Sequence, residues 1–143
     1  MTRAILDDHL LRDLLADDLC NELRSLLRTH EPATTNFYYL RLCKSVVSAR
    51  GAALTGAWPE DRRRALARTL VELPDAIHVT PLRSLSFRMA ELTESFRISN
   101  LGAEAVAASE ALSAPLCVWS GDDGPGIRAT QEAVAGTYIT VQR

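Results

Sequence analysis

A chain of 143 residues that is 47% hydrophobic has the length and apolar content of one globular domain with a real core, spanning residues 1–143. Its formal charge of −2 builds no overall basic field for nucleic acid, although a local contact needs only a patch. No apolar run approaches the ~18 residues that span a bilayer, and Asp7, Asp8 and Asp13 arrive too early for a signal peptide. Cys20, Cys43 and Cys117 are odd in number and widely spaced in apolar surroundings, which fits reduced buried thiols in a cytoplasmic protein rather than a disulfide or zinc set. Lys44 is the only lysine and alanine is abundant, a usage that points to a high-GC bacterial source.

The first apolar run, Arg3 to Leu6, reads as a buried strand and ends in Asp7-Asp8. Leu10, Leu11, Leu14 and Leu15 then share a helical face, and Leu19, Leu23, Leu26, Leu27 and His30 repeat the pattern in a second helix capped by Asp18. Glu31-Pro32 ends that helix, because the residue before proline is pushed out of the α region. Thr34-Thr35-Asn36 caps a third helix, Phe37 to about Ala49, and Gly51 to Trp58 is a loop. Pro59 opens a fourth helix at its first position, with Glu60 and Asp61 well placed for the helix dipole; Leu73-Pro74-Asp75 closes it.

Ala76 to Val79 is a short second strand. Thr80-Pro81 starts a fifth helix whose Leu82, Leu85, Met89, Leu92 and Phe96 form one apolar stripe. Ser99 or Asn100 caps a sixth helix running to about Leu112, with Ala103, Ala107 and Ala111 as a small-residue face able to lie close on a sheet. The third strand, Leu116 to Trp119, leads to Ser120-Gly121-Asp122-Asp123. Gly124-Pro125-Gly126 turns into a seventh helix, about Ile127 to Val134, and Thr137 to Val141 is the last strand. Alternation of strands and helices without hairpin turns predicts a three-layer α/β/α domain with a mostly parallel sheet.

In such a sheet, acids just past strand C-termini converge in one crevice. Asp7 leaves the first strand, Asp122 the third, and Glu104 lies in the first turn of the helix before it. Their hard oxygens are what Mg²⁺ or Mn²⁺ requires, with Asp8 and Asp123 in support. Each also has a plainer use: Asp7 or Asp8 can cap the following helix, Asp122-Asp123 can be a turn, and Glu104 suits any helix start. Gly121 to Gly126 lacks the spacing of a phosphate loop. Arg62-Arg63-Arg64 is either a solvated helix face or a hold on an RNA backbone. His9, His30 and His78 show no metal-ligand spacing; His9, beside Asp8, is either an acid–base group or a cap.

Ile5-Leu6-Asp7-Asp8-His9-Leu10-Leu11, the Ala-rich stretch Leu101 to Leu116, and Ser120-Gly121-Asp122 together resemble the PIN-domain family, the fold of many bacterial toxin-type ribonucleases. The resemblance covers the whole chain in element order. It implies a Mg²⁺- or Mn²⁺-dependent ribonuclease that hydrolyses RNA phosphodiester bonds, with Asp7, Glu104 and Asp122 as catalytic ligands and Asp123 as a further metal ligand. It also implies a protein antitoxin and a homodimer as partners. One departure stands out. The acid that the family carries near the first turn of its third helix is missing, and Tyr39 and Arg41 stand in that region. The alternative is therefore a PIN-like binding or regulatory protein whose site has decayed, with Arg41 beside the remaining acids.

Overall fold

The computed structural model describes residues 1–48 and 54–143. Its elements run β1 (Thr2–Leu6), α1 (Asp8–Leu15), α2 (Asn21–Leu26), β2 (His30–Thr34), α3 (Asn36–Val47), α4 (Glu60–Val71), β3 (His78–Val79), α5 (Leu82–Ser95), α6 (Asn100–Leu112), β4 (Leu116–Trp119), α7 (Pro125–Ala133) and β5 (Tyr138–Val141). A short 3₁₀ turn, Ser120–Asp122, follows β4. The sheet order is β3-β2-β1-β4-β5, and every pairing is parallel. No helix among the described residues is long and apolar enough to cross a membrane.

Alternation along the central strands feeds two separate cores, as period-two geometry requires. Ile5, Leu116 and Val118 face α3, α5 and α6, where Tyr38, Leu85, Leu92 and Val106 pack on them. Ala4, Leu6 and Cys117 face the other way, onto Leu10 and Leu23 of α1 and α2. The three-layer α/β/α expectation holds. A third cluster, Leu11, Leu42, Leu54, Leu66, Leu70 and Ile77, joins α1, α3 and α4 beside the sheet.

The strand β2 was hidden in the sequence. His30-Glu31-Pro32 reads as a helix end, yet Thr2 to Ile5 of β1 pair in register with His30 to Ala33. Pro32 is tolerated because β3 covers β2 only at Ala33 and Thr34, so the proline lies where one edge of the strand is open. Two helix starts also shift. The Cys20 thiol, rather than Asp18, caps α2 by accepting from the Leu23 N–H, and Pro59 sits at the cap of α4 rather than inside it. Ser99 caps α6, its hydroxyl accepting from Gly102. The expected end of the third helix at Ala49, and the start of the loop at Gly51, lie outside the described residues.

The three cysteines are free; Cys117 is buried and the other two are partly so. Burial, reinforced by the Asp7 charge, pushes the Cys117 thiol up to about 12, so it stays a protonated core side chain.

The Ala-rich α6 lies against the sheet with Ala103, Ala105, Ala107 and Ala108 all buried. A larger residue there has nowhere to go. Ala107→Leu is expected to lower stability by about 1–3 kcal/mol through overpacking, read as a reduced urea midpoint with an unchanged slope.

Candidate metal centre

β1 and β4 are parallel neighbours, with Ile5 opposite Leu116 and Leu6 opposite Cys117. The chain turns away from the sheet in opposite directions on either side of this pair, which opens a crevice at the strand C-termini. Asp7 is the first residue past β1, and its backbone is still extended, with its N–H donating to the Cys117 carbonyl at 3.0 Å. One carboxylate oxygen accepts from the Leu10 N–H at 2.9 Å and so caps α1. The other accepts from the Trp119 N–H at 2.9 Å, at the end of β4. Asp7 is therefore both a helix cap and a member of the acidic crevice.

Burial pushes the Asp7 carboxyl up to about 7. The Leu10 N–H opposes this, the neighbouring Asp8 charge adds to it, and Trp119 and His9 pull the other way. Asp8, 0% exposed, points one oxygen at His9, accepting from its backbone N–H at 3.0 Å and lying 3.1 Å from its Nδ1. The other oxygen is buried without a hydrogen bond; the Arg41 guanidinium, half exposed on α3, approaches it to 3.3 Å.

The His9 ring is 4.5 Å from the Trp119 ring, tilted against it, and its Nδ1 is 3.7 Å from an oxygen of Asp122. Asp122, in the 3₁₀ turn after β4, is the exposed member, its side chain 47% accessible. One potential ligand atom each from Asp7, Asp8, His9 and Asp122 lies within 4.8 Å of all the others. Through His9 and Asp122 the group borders a cleft of about 400 Å³, which Arg41, Lys44 and Ser45 of α3 also line, while Asp7 and Asp8 lie buried behind it. A second cavity of about 350 Å³, lined by Ser109, Gln131 and Thr137, lies at the opposite ends of β4 and β5, remote from these acids.

The remaining expected site residues are engaged elsewhere. Glu104 is fully buried on α6, where one oxygen accepts from the Asn36 N–H (2.8 Å) and side-chain amide (2.7 Å) and the other from the Phe37 N–H (2.8 Å). It thus satisfies the first amides of α3 and sets negative charge at the positive end of that helix. Asp123 turns outward to Arg128 (2.7 Å) and the Tyr138 hydroxyl (2.8 Å). Of the basic run on α4, Arg62 stacks over Trp58 and reaches Asp18, Arg63 donates to the Ser48 carbonyl, and Arg64 pairs with Glu60. His9 joins the cluster although no sequence spacing marks it as a ligand. The only signal is its place beside Asp8 in the first helical turn after a strand-end acid.

No family model matches the chain, and no curated protein does. Among solved structures, a chain of a toxin–antitoxin complex from Klebsiella pneumoniae is similar, with a TM-score of 0.51 and 17% identity. The likeness covers 87% of this chain and 92% of that one. The two share a fold. At that identity the likeness carries the architecture and nothing finer.

Two measurements check this geometry. Unfolded, Asp7 titrates near the ordinary 3.8, and folded near 7, so between those values the native state holds the extra proton. In the absence of added metal, the contribution of Asp7 to stability is therefore full below about pH 4 and is lost as the pH rises to about 7. Asp7→Asn should flatten that part of the profile in melts taken across the range. Separately, Glu104→Ala strands three donors at the start of α3 and should cost about 3 kcal/mol or more, with Glu104→Gln intermediate, in chemical denaturation.

Proposed function

We propose that this chain is a PIN-like, toxin-type ribonuclease that hydrolyses RNA phosphodiester bonds with a divalent ion held by Asp7, Asp8, His9 and Asp122. The observation that carries the reading is the convergence of these four groups at the C-terminal ends of two parallel strands, with His9 and Asp122 on a cleft that Arg41 and Lys44 also border. The donor set fits a cation. A buried Asp8 oxygen without a hydrogen bond, and an Asp7 carboxyl that burial drives toward neutrality, are both relieved by positive charge. A bound ion of this kind supplies an activated water and neutralises charge on the leaving oxygen.

The chain itself does the positioning. The backbone amides of Leu10 and Trp119 fix both oxygens of Asp7, and Trp119 backs the His9 ring. Asp122, at the exposed edge beside His9, faces the cleft. Lys44 and Arg41 line the cleft where a phosphodiester would lie, and their charge attracts it.

A protein antitoxin is the partner that the toxin–antitoxin neighbour suggests, and a second copy of this chain is the other. Among the described residues, Met1, Val47, Val71 and Phe87 are large apolar side chains more than four-fifths exposed, and so open to such contacts. A cytoplasmic RNA target suits the three free thiols.

A second reading has its own support. Arg41 already contributes positive charge at Asp8, and Glu104 is committed to capping α3, so fewer carboxylates are left for an ion than in a fully acidic site. That arrangement suits a PIN-like binding or regulatory protein that no longer cleaves.

Thermal melts with Mn²⁺, paired with a cleavage assay on single-stranded RNA, separate the two. For the enzyme, millimolar Mn²⁺ raises Tm by mass action, Asp7→Asn abolishes that rise, and the same substitution lowers the cleavage rate by about two orders of magnitude or more. A metal-induced rise without any cleavage supports the binding protein. Cleavage that survives Asp7→Asn, or the absence of any metal effect, overturns the ribonuclease reading.

A further inference from the structure

The cluster differs from an all-carboxylate site in one respect: a buried imidazole stands among the acids. We propose that His9 makes this site select a nitrogen-accepting first-row transition ion, Mn²⁺ or Zn²⁺, over Mg²⁺. The inference rests on the cation site proposed above and concerns which ion it takes.

His9 is 5% exposed, and the orientation of its ring is constrained from two sides. Trp119 packs against the ring at 4.5 Å, and on another side the ring Nδ1 meets an Asp8 oxygen. The Nδ1 atom is thereby held 3.1 Å from one Asp8 oxygen and 3.7 Å from an Asp122 oxygen, among the atoms an ion would meet. An independent observation points to a ligand at the same place. The second oxygen of Asp8 is buried and accepts no hydrogen bond, although it is ion-paired at 3.3 Å with the half-exposed Arg41 guanidinium.

The chemistry then separates the ions. Mg²⁺ is held almost wholly by electrostatic attraction to oxygens, demands near-octahedral geometry and gives up its waters reluctantly. This site offers it less than three free carboxylates would, because Arg41 already offsets the charge of Asp8. A neutral imidazole adds no negative charge, so it does little for Mg²⁺. It donates well to transition ions, and for a given nitrogen–oxygen site affinity rises from Mn²⁺ toward Zn²⁺.

The test uses the whole chain and metal chlorides alone, with no RNA. Tm is followed against free Mg²⁺, Mn²⁺ and Zn²⁺ for the native protein, for His9→Phe, which keeps a ring against Trp119, and for His9→Asn. Half-saturation is expected at least about tenfold lower for Mn²⁺ than for Mg²⁺, and lower again for Zn²⁺. Both variants should bring Mn²⁺ and Mg²⁺ to within about threefold of one another. Electron spin-echo modulation of the Mn²⁺-loaded protein should show coupling to ¹⁴N that both variants lose. Equal half-saturation for Mg²⁺ and Mn²⁺ in the native protein, or a preference that persists in both variants, overturns the role of His9 while leaving the cation site standing. No shift with any of the three ions overturns the selectivity and the cation site together.

Discussion

Asp7 is the knot of this molecule. Its two oxygens hold the first turn of α1 and the last residue of β4, so one side chain joins the end of the central strand, the helix that follows it, and the neighbouring strand more than a hundred residues later in the chain. The same bonds place it beside Asp8, because a residue that caps a helix leaves the next one in the first turn. A buried carboxyl with another at its side favours keeping its proton, and the two amide bonds only partly offset that preference. The architecture thus crowds two buried carboxyls at the point where β1 passes into α1. Stored tension of this kind is what a cation can release.

Glu104 applies the same device to a different end. It carries a carboxylate from α6 across to the first amides of α3, fixing the helix from which Arg41 and Lys44 reach the cleft. One acid builds the crevice and the other builds the wall that faces it. That division explains why an acid whose sequence position suits a metal ligand is fully occupied without one.

Much of this was legible in the sequence. Strand-then-acid runs at both ends of the chain placed Asp7 and Asp122 in one crevice, because parallel neighbours must present their C-termini together. The apolar stripe of α5 read correctly, with Leu85, Met89 and Leu92 buried, whereas of the small-residue face on α6 Ala103 and Ala107 are buried and Ala111 is exposed. What stayed hidden was local signal overridden by tertiary pairing. His30-Glu31-Pro32 has neither alternation nor β-branching, and becomes a strand only because β1 supplies its partners. Asp122 and Asp123 are indistinguishable in sequence, yet the 3₁₀ turn aims the first at His9 and leaves the second to Arg128 and Tyr138. His9 required a fold before its neighbours could be counted.

The proline in β2 has a consequence beyond its own strand. Because β3 is only two residues long, β2 runs on past it, and at His30, Glu31 and Pro32 no strand among the described residues pairs with that side. An open parallel edge invites strand addition by another chain and, from there, aggregation. A residue without an N–H denies that newcomer one of the donors it needs, and a charged neighbour in Glu31 discourages close approach. The feature that concealed the strand from inspection of the sequence also protects the sheet from unwanted company.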